Sequence, residues 1–443
     1  MYLTYYFEGE EGGEIVIESK DYHEIKNPTF APEVDLYALS LPVNEFTLDV
    51  ITEDDFEVYN PVELYDDMNG LWASFRIKSA DRIQPGVVRL TADTWISNLE
   101  NATMEPVMYE EEPVSDVLDD ILVAAFGVAD GRYELDNSFD EATVTGFCPE
   151  QSARDRLTWV LFAIGGMVQQ SFVSKVQIVP IDDTVSVIPY NRTFYRPEIT
   201  SGEWVTAVRV TSFAFSEATS QEEWESDDSS YRFPMPWVCV EQAFVLSNND
   251  APEGVPENVV DISELYLINA DNVNDILNRL AAYYFNRTEV SLDCVNNRQF
   301  LPGDKVTASM AEDALITGYI TQASFAFGVQ ARSTLKLIGV EDTTGATLII
   351  NYLYNNGRIG QAKYFLPVGY TYAIQNPFID RTYQGRRFVY APLTESVTGT
   401  MSSGTNTVDV NYGVALECYQ DNLIVYSVDW VSLQSGTSIA VID

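Results

Sequence analysis

The chain has 443 residues, 46% of them hydrophobic and 12% aromatic, which is enough for several folded domains and too apolar for a disordered protein. Its 67 acidic and 25 basic residues give a net charge of -42. Such a charge repels nucleic acid and anionic membranes, and it argues against sequence-reading contacts with DNA. Two explanations of the charge remain open: adaptation to high salt, or a surface past which a polyanion must move without adhering.

The cysteines and the N-terminus show no pattern of a metal site or of export. Cys148, Cys239, Cys294 and Cys418 lie far apart with no CxxC pair, so we expect reduced thiols. The first residues lack the basic segment and apolar core of a signal peptide. The longest apolar run, 159–168, is about half of the ~20 residues that a spanning helix needs. We therefore expect a protein made in the cytoplasm, with no membrane anchor of its own.

Residues 1–107 are predicted to form a first β-barrel domain. Phe46, Leu48 and Val50 alternate with polar residues, which is the period of a half-buried strand. Further strands are predicted at 74–78 and in the segment after the Pro-Gly turn dipeptide that follows. The pattern favours a small antiparallel barrel.

Residues 108–195 are predicted to form an α/β insert domain that begins with a helix. Acidic residues precede Pro113, and a proline in the first turn costs no hydrogen bond. A wide apolar stripe follows and ends at Gly127. The stripe comprises Val114, Val117, Leu118, Ile121, Leu122, Ala125 and Phe126.

A second helix of the insert is predicted from Ser152, which with Asp155 forms a helix-start signature. Its apolar stripe is the predicted core of the insert and recurs at helical spacing. The stripe comprises Leu157, Val160, Leu161 and Ile164. Gly165-Gly166 then breaks the helix, and Val173, Val176 and Ile178 predict a strand that ends at Pro180.

Residues 196–342 are predicted to form a second β-barrel domain. A strand is predicted at 203–210, and the acidic segment Gln221–Ser230 is predicted to be an exposed hairpin tip. The turn Leu301–Asp304 has Pro and Gly where a type II turn requires them. The strands Leu315–Ala326 and Ala331–Val340 follow it.

This second barrel also contains a helix, which Asn269 or Asp271 is predicted to cap. Its apolar stripe has helical spacing. The stripe comprises Val273, Ile276, Leu277, Leu280 and Tyr284.

The C-terminal part of the chain changes in charge. In residues 343–412 basic side chains outnumber acidic ones, which marks a domain boundary in so acidic a protein. A short β tail is predicted at 413–443. The fold class predicted overall is α+β and mostly β: two tube-like antiparallel β-barrels bracketing an α/β insert, followed by a β-grasp-like domain.

The order of these elements resembles the hub at the distal end of phage tails and contractile injection particles. The resemblance covers residues ~35 to ~340 and is carried by the order and spacing of six segments. They are LPVNEFTLDV at 41–50, FRIKSADR at 75–82, the segment 151–180, LNRLAAYYFNR at 277–287, LPGDKV at 301–306 and TGYITQASFAF at 317–327. The resemblance implies a homotrimer whose two tube-like barrels per subunit form a pseudo-sixfold ring between a sixfold tube and a threefold tip.

The C-terminal unit resembles a mucin-binding-protein (MucBP) repeat. The segments that carry this are LIINYLYNNGRIG at 348–360, LPVGYTYAI at 366–374 and FVYAPLTESVTGTMSSGTNTVDVNY at 388–412. The Asn356-Gly357 dipeptide is by itself a strong hairpin signal. The resemblance implies either glycan binding or a docking module for the next tail component.

Tyrosines with nearby arginines in this unit are candidates for binding a sugar or a protein partner, because such side chains stack on polar ligands. Packing of the tyrosines on the sheet faces is the alternative. The candidate binding residues are Tyr364, Tyr370, Tyr372, Arg381, Tyr383, Arg386, Arg387 and Tyr390.

Catalytic chemistry finds little support in the sequence. The single histidine, His23, lies in an acidic N-terminal segment, so no Ser-His-Asp or Cys-His system can be assembled elsewhere. Carboxylate pairs could hydrolyse glycosides, but 67 acidic residues make chance pairs certain. The acids between 222 and 228 could chelate calcium, yet EF-hand spacing is absent and an exposed charged tip is favoured. We predict no catalytic residue, no metal and no cofactor.

The sequence therefore predicts a structural hub of a phage tail or tail-like particle, located in the virion and assembled in the host bacterial cytoplasm. The predicted partners are two further copies of the chain, a tail tube or distal tail protein, a tape measure protein and a tail-tip or spike protein. DNA would only pass through an acidic lumen. The alternatives are a glycan-binding receptor-recognition protein and, third, a carboxylate-based glycosidase.

Overall fold

The structure is a computed structural model of the chain, and most of the residues up to 415 are described, together with one later strand. The described ranges are 3–8, 14–18, 25–34, 36–37, 39–53, 55–66, 70–127, 133–169, 176–181, 185–188, 193, 197–286, 288–295, 300–311, 314–326, 332–342, 345–354, 359–369, 371–375, 379–383, 386–390, 397–412, 414–415 and 430–434.

Among its described residues, the N-terminal part consists of β-strands and one 3-10 helix, Trp95–Asn101. The strands are β1 (Leu3–Glu8), β2 (Glu14–Glu18), β3 (Ile25–Phe30), β4 (Glu45–Ile51), β5 (Pro61–Asp66), β6 (Gly70–Gln84), β7 (Val87–Asp93), β8 (Thr103–Met104) and β9 (Val107–Pro113).

In the described ranges up to residue 188, two helices and short strands follow, with a 3-10 helix at Asn137–Phe139. The elements are α1 (Val114–Phe126), β10 (Tyr133–Leu135), β11 (Thr143–Cys148), β12 (Gln151–Ser152), α2 (Ala153–Ile164), β13 (Gly166–Gln169), β14 (Val176–Pro180) and β15 (Val185–Ile188).

The third stretch contains the longest hairpins. Its elements are β16 (Glu198–Ser201), β17 (Ala207–Glu217), α3 (Gln221–Ser226), β18 (Trp237–Ser247), β19 (Val259–Ile262), α4 (Val273–Tyr284), β20 (Thr288–Val295), β21 (Lys305–Ala311), β22 (Ala314–Ala326) and β23 (Arg332–Asp342).

The C-terminal part consists of strands in the described residues. They are β24 (Gly345–Tyr354), β25 (Ile359–Pro367), β26 (Thr371–Gln375), β27 (Ile379–Tyr383), β28 (Arg386–Tyr390), β29 (Val397–Thr400), β30 (Thr405–Tyr412), β31 (Val414–Ala415) and β32 (Trp430–Gln434). They form three small sheets, β25-β24-β30, β29-β26-β32 and β27-β28-β31. The strands flanking Asn356-Gly357 are antiparallel, while the turn itself lies outside the described residues.

One large sheet dominates the molecule and confirms the predicted mostly-β fold class. Its strand order is β16-β20-β23-β22-β3-β4-β7-β6-β5-β1-β2, with β21 pairing β22 and β15 pairing β21. Strands from before and after the helical stretch thus belong to the same sheet. The sheet has one continuous core, which we call the sheet core. It draws buried residues from both ends of the sheet, including Phe46, Phe75, Leu292 and Leu337.

A second core lies among the helices, and we call it the helical core. It contains the buried faces of α1, α2 and α4 together with Val208 and Val210 of β17. The three helices therefore pack with the β17–β19 sheet around shared apolar contacts rather than as isolated helices. The domain boundaries at 107, 195, 342 and 412 stay a prediction.

The three predicted helices are confirmed, but α1 and α4 begin differently from the prediction, and the acidic residues 110–112 lie on β9 rather than in the first turn of α1. Pro113 is the N-cap of α1 rather than a first-turn residue. Helix α4 has Asn272 as its N-cap, whereas Asn269 accepts hydrogen bonds from the backbone N–H groups of Asp271 and Asn272 just before the helix. Asn269 therefore closes the turn that leads into α4 instead of capping it.

The strand after α2 also differs from the prediction. A strand begins directly at Gly166, because Gly165 takes the left-handed conformation (φ +74°) that ends the helix and redirects the chain. The next strand, β14, ends at Pro180 as predicted, while Val173 lies outside the described residues. The predicted acidic tip at Gln221–Ser230 is at the end of the β17–β18 hairpin, but it contains the short helix α3.

Candidate assembly site: the junction and the acidic hairpin

The two halves of the large sheet meet where β3 pairs with β22. The register places Phe30 opposite Phe325, and two backbone bonds continue the contact past the end of β3. The N–H of Val34 donates to the oxygen of Thr321 at 2.9 Å, and that of Ala323 donates to the oxygen of Pro32 at 3.0 Å. Backbone pairing of this kind fixes the relative position of the two halves.

Four phenylalanines fill the core beneath this junction. Phe30 and Phe75 meet edge to face at 4.9 Å between ring centroids, and Phe46 stacks on Phe75 at the same distance. Phe325, from the other half of the sheet, stacks on Phe30 at 6.4 Å. Such pairs contribute about 0.5–1.5 kcal/mol each beyond the burial of their area. The junction is therefore held by both the sheet and the core.

The β17–β18 hairpin, which we call the arm, ends in the acidic tip 219–230. Ser220 caps α3 by accepting from the N–H of Glu223, and the carboxylate of Glu223 accepts from the N–H of Thr219 at 2.8 Å. The hydrogen bond from the Thr219 hydroxyl lowers the pKa of Glu223, and that from the Ser229 hydroxyl lowers the pKa of Asp227. These two carboxylates therefore stay ionised to a lower pH than they would without the hydrogen bonds.

These carboxylates are arranged as capping and turn groups. In the part of the chain that the structure describes, no group of three or more His, Cys, Asp or Glu side chains could hold a metal ion. None of the described helices is long and apolar enough to cross a membrane.

The arm is fixed to the rest of the molecule by five aromatic side chains, which we call the aromatic clamp. Phe233 of the arm contacts Phe147 of β11 at 5.4 Å and Phe215 at 5.0 Å between centroids. Tyr266 completes the clamp against Phe213 at 5.0 Å and Phe233 at 5.1 Å. Because Phe233 is buried, the clamp packs the base of the tip against β11 and Tyr266.

The predicted insert residues lie on α2. Leu157, Val160 and Leu161 are buried in the helical core, and Ile164 is partly buried against it. Ser152 caps the helix by accepting from the N–H of Asp155 at 3.1 Å.

The eight predicted C-terminal binding residues are distributed over separate sheets. Tyr364 lies on β25 and Tyr372 on β26, whereas Tyr370 lies outside the described residues. The remaining five share the β27–β28 hairpin, in which Tyr383 is paired with Arg386. These five are Arg381, Tyr383, Arg386, Arg387 and Tyr390. Their role as binding residues stays a prediction.

Two of the described thiols, those of Cys148 and Cys239, are poor nucleophiles at neutral pH. Burial raises the pKa of Cys148 to about 12, and it raises the pKa of Cys239 to about 11. Cys294 is buried in the sheet core. His23 and Cys418 lie outside the described residues.

An arginine that the sequence did not single out links α4 to α2. Arg279 donates through Nη2 to the carbonyl oxygen of Phe162 at 3.4 Å, at the C-terminal end of α2. Its guanidinium lies against Gly165, where an added Cβ would come within 1.4 Å of Nη1. Burial lowers the pKa of Arg279. A cation there offsets the partial negative charge of the α2 terminus, since α2 has no basic residue in its own last turn.

No family model matches the chain, and no curated protein matches it. Three solved structures are similar over 76% of the chain. The prophage tail protein gp18 from Listeria monocytogenes EGD-e has a TM-score of 0.49, 9% identity and 94% of its own length covered. A tail protein from Neisseria meningitidis MC58 has a TM-score of 0.49 and 11% identity, with 96% of its own length covered. The 43 kDa tail protein of prophage MuSo2 from Shewanella oneidensis has a TM-score of 0.48 and 8% identity, with 98% of its own length covered.

Proposed function

We propose that this protein is a non-enzymatic structural component of a phage tail or tail-like particle, and that it forms the trimeric hub between a sixfold tube and a threefold tip or spike. The observation that carries the proposal is the junction, where β3 and β22 unite two β-rich parts of one chain over one core. Three such chains supply six β-rich units, which suits a ring between sixfold and threefold neighbours. The order of elements in the sequence resemblance supports the same role.

The oligomeric state tests this proposal directly. Light scattering on the purified chain should give three times the 49.7 kDa mass of one copy. Electron microscopy of the same sample should show a ring with a central lumen. A sample that stays monomeric at the highest soluble concentration, and shows no ring, would refute the trimeric hub.

We propose that part of the charge of -42 per chain faces the lumen. Acidic walls repel DNA phosphates and favour sliding over binding, so DNA or a tape measure protein could pass without adhering. A ring structure whose lumen is lined by basic or apolar side chains would overturn the acidic lumen and leave the hub proposal standing.

The proposed location is the distal tail of the virion, assembled in the host bacterial cytoplasm, with a tail tube or distal tail protein on one side and a tip or spike protein on the other. Antibody labelling of purified particles should mark the tail end opposite the head. Label along the tube or on the head would refute this placement.

Glycan recognition by a MucBP-like C-terminal domain is the second candidate function, and the clustering of five predicted binding residues on the β27–β28 hairpin favours it. Binding of the full chain to mucin glycans should then fall at least tenfold on Arg386→Ala. The control is Lys336→Ala, which removes an exposed cation from β23 instead. Equal binding by both variants, or none by the wild type, would exclude this function.

A further inference from the structure

The arm has an edge that no described strand covers. In its sheet, ordered β18-β17-β19, β18 pairs with β17 alone. The N–H of Cys239 points away from β17, because it donates to the Ser229 hydroxyl at 2.9 Å. Since backbone groups alternate in direction along a strand, Glu241, Ala243 and Val245 also direct their N–H and C=O groups to this outer side.

This edge has the features that natural proteins avoid on a surface facing water. Val240 is 71% exposed and Val245 is 54% exposed, and the four residues 240–243 are all exposed. The only charge within 237–247 is Glu241, and it is already paired with Arg232, which lies between the tip and β18. A long edge strand that has no bulge in its pairing with β17 and that carries exposed valines is a template for pairing with another strand.

An acidic cleft lies beside the tip end of the edge. Its volume is about 840 Å³, and the exposed ring of Tyr231 stands at its rim. The lining residues include Asp227, Asp228, Tyr231, Arg232, Cys239 and Glu241. A strand that pairs with the open edge of β18 and also brings cations to the acidic cleft would fit both the edge and the cleft.

Within this acidic chain, such a strand exists in the C-terminal part. β27 is the outer strand of the sheet β27-β28-β31, so one of its edges is unpaired among the described residues. It carries Asp380 and Arg381, and two further arginines, Arg386 and Arg387, begin β28, where Arg386 pairs with Tyr383. Its five residues fit within the seven-residue open edge 241–247.

We propose that β27 of one copy adds antiparallel to the open edge of β18 in a second copy, bringing Arg386 and Arg387 to the acidic cleft of that copy. The antiparallel direction follows from charge, because it places Tyr383 at the end of β27, and with it Arg386 at the start of β28, beside Glu241 and the tip. A parallel arrangement would carry the same arginines to the far end of the arm. This contact rests on the proposed oligomeric hub and specifies how neighbouring copies are joined.

Charge reversal in pairs tests the contact in the full-length protein. The double variant Asp227→Lys/Asp228→Lys and the double variant Arg386→Glu/Arg387→Glu should each raise the dissociation constant between copies at least tenfold, measured by sedimentation velocity. A chain that carries all four changes should recover most of the lost affinity, since opposite charges again meet.

A matched control changes the charge by the same amount away from the arm tip. Glu253→Lys/Glu257→Lys reverses two exposed carboxylates in the loop after β18 and should leave the dissociation constant within about twofold of wild type. Ala243→Pro tests the edge itself, because proline removes an outward N–H and obstructs an added strand. It should weaken assembly while the circular dichroism spectrum stays that of the wild type.

The outcomes separate this contact from the hub proposal. Assembly of the wild type together with unchanged assembly of both reversal variants refutes the contact alone. Dissociation by the aspartate variant but not by the arginine variant means that another basic segment occupies the edge, and β27 is the wrong occupant. A wild type that never assembles overturns the contact together with the trimeric hub.

Discussion

Gly165→Ala should destabilise the protein through two separable effects. Gly165 is the left-handed cap of α2 (φ +74°), so alanine there carries the strain of a Cβ in that conformation. The new Cβ would also lie 1.4 Å from Nη1 of Arg279 and force the guanidinium away. The bond to the Phe162 oxygen and the cation at the α2 terminus would then both be lost.

The magnitudes of these effects can be estimated separately. Left-handed strain on alanine costs about 1–2 kcal/mol. Loss of a hydrogen bond to a charged donor, together with a partly buried cation at a helix terminus, costs a further ~1–2 kcal/mol. Gly165→Ala should therefore lower the free energy of unfolding by about 2–4 kcal/mol.

A matched control is provided by Gly127, the cap of α1. It is also left-handed, with nearly the same φ (+73°) although a different ψ (-7° against 30°), and an added Cβ would meet nothing within 4 Å. In urea unfolding, Gly127→Ala should lower the free energy of unfolding by the cost of the left-handed strain alone, about 1–2 kcal/mol. In an Arg279→Ala background, Gly165→Ala should cost no more than Gly127→Ala. Equal losses for the two glycine variants in the wild-type background would refute the role of Arg279.

Three further outcomes are expected. Leu161→Ala should cost about 2–5 kcal/mol in urea unfolding, because it empties a buried position of the helical core; an unchanged midpoint would mean that this segment is misplaced. The lowered pKa of Glu223 means that its hydrogen bonds stabilise the fold above its ordinary pKa of 4.5 and lose this effect as pH falls through the folded value. The difference in melting temperature between wild type and Thr219→Val should therefore be constant near neutral pH and shrink as the pH falls below 4.5, and a constant difference across this range would contradict the prediction. Cys148, with a pKa of about 12, should resist iodoacetamide at about pH 8 until the protein unfolds, as followed by mass spectrometry of its peptide.

Local sequence signals predicted the helices well because each signal acts within a few residues. In α2, the cap, the apolar stripe and the terminal glycine all lie within 152–165, and the structure uses each of them. The errors also have local causes. Three polar residues precede α4, and hydrogen bonds among them, rather than residue type alone, decided that Asn272 is the cap.

The junction could not be predicted from local patterns. Phe30 and Phe325 belong to strands near opposite ends of the β-rich part, and nothing in either strand specifies the other as its partner. The same holds for Arg279. The sequence predicts that it lies on a helix, but not that it donates to the carbonyl oxygen of Phe162 at the end of α2. Contacts between distant segments depend on the assembled core, so periodicity indicates which faces are buried but not what covers them.

The two explanations of the charge predict different effects of salt. In the described residues, the acids on the large sheet are partly paired, as in Lys78–Glu45 at 2.7 Å and Arg89–Asp49 at 2.7 Å. The carboxylates of the tip form no salt bridge with any described residue, so their negative charge can attract a basic partner. Adaptation to high salt requires that the fold itself weaken at low ionic strength, because screening of self-repulsion is then lost. If the charge instead serves assembly, the monomer should unfold at a similar urea concentration at low and high salt. Added salt should then weaken the contact between copies and dissociate them. Unfolding that shifts strongly with salt, combined with assembly that does not, would assign the charge to adaptation and remove the electrostatic argument for the arm.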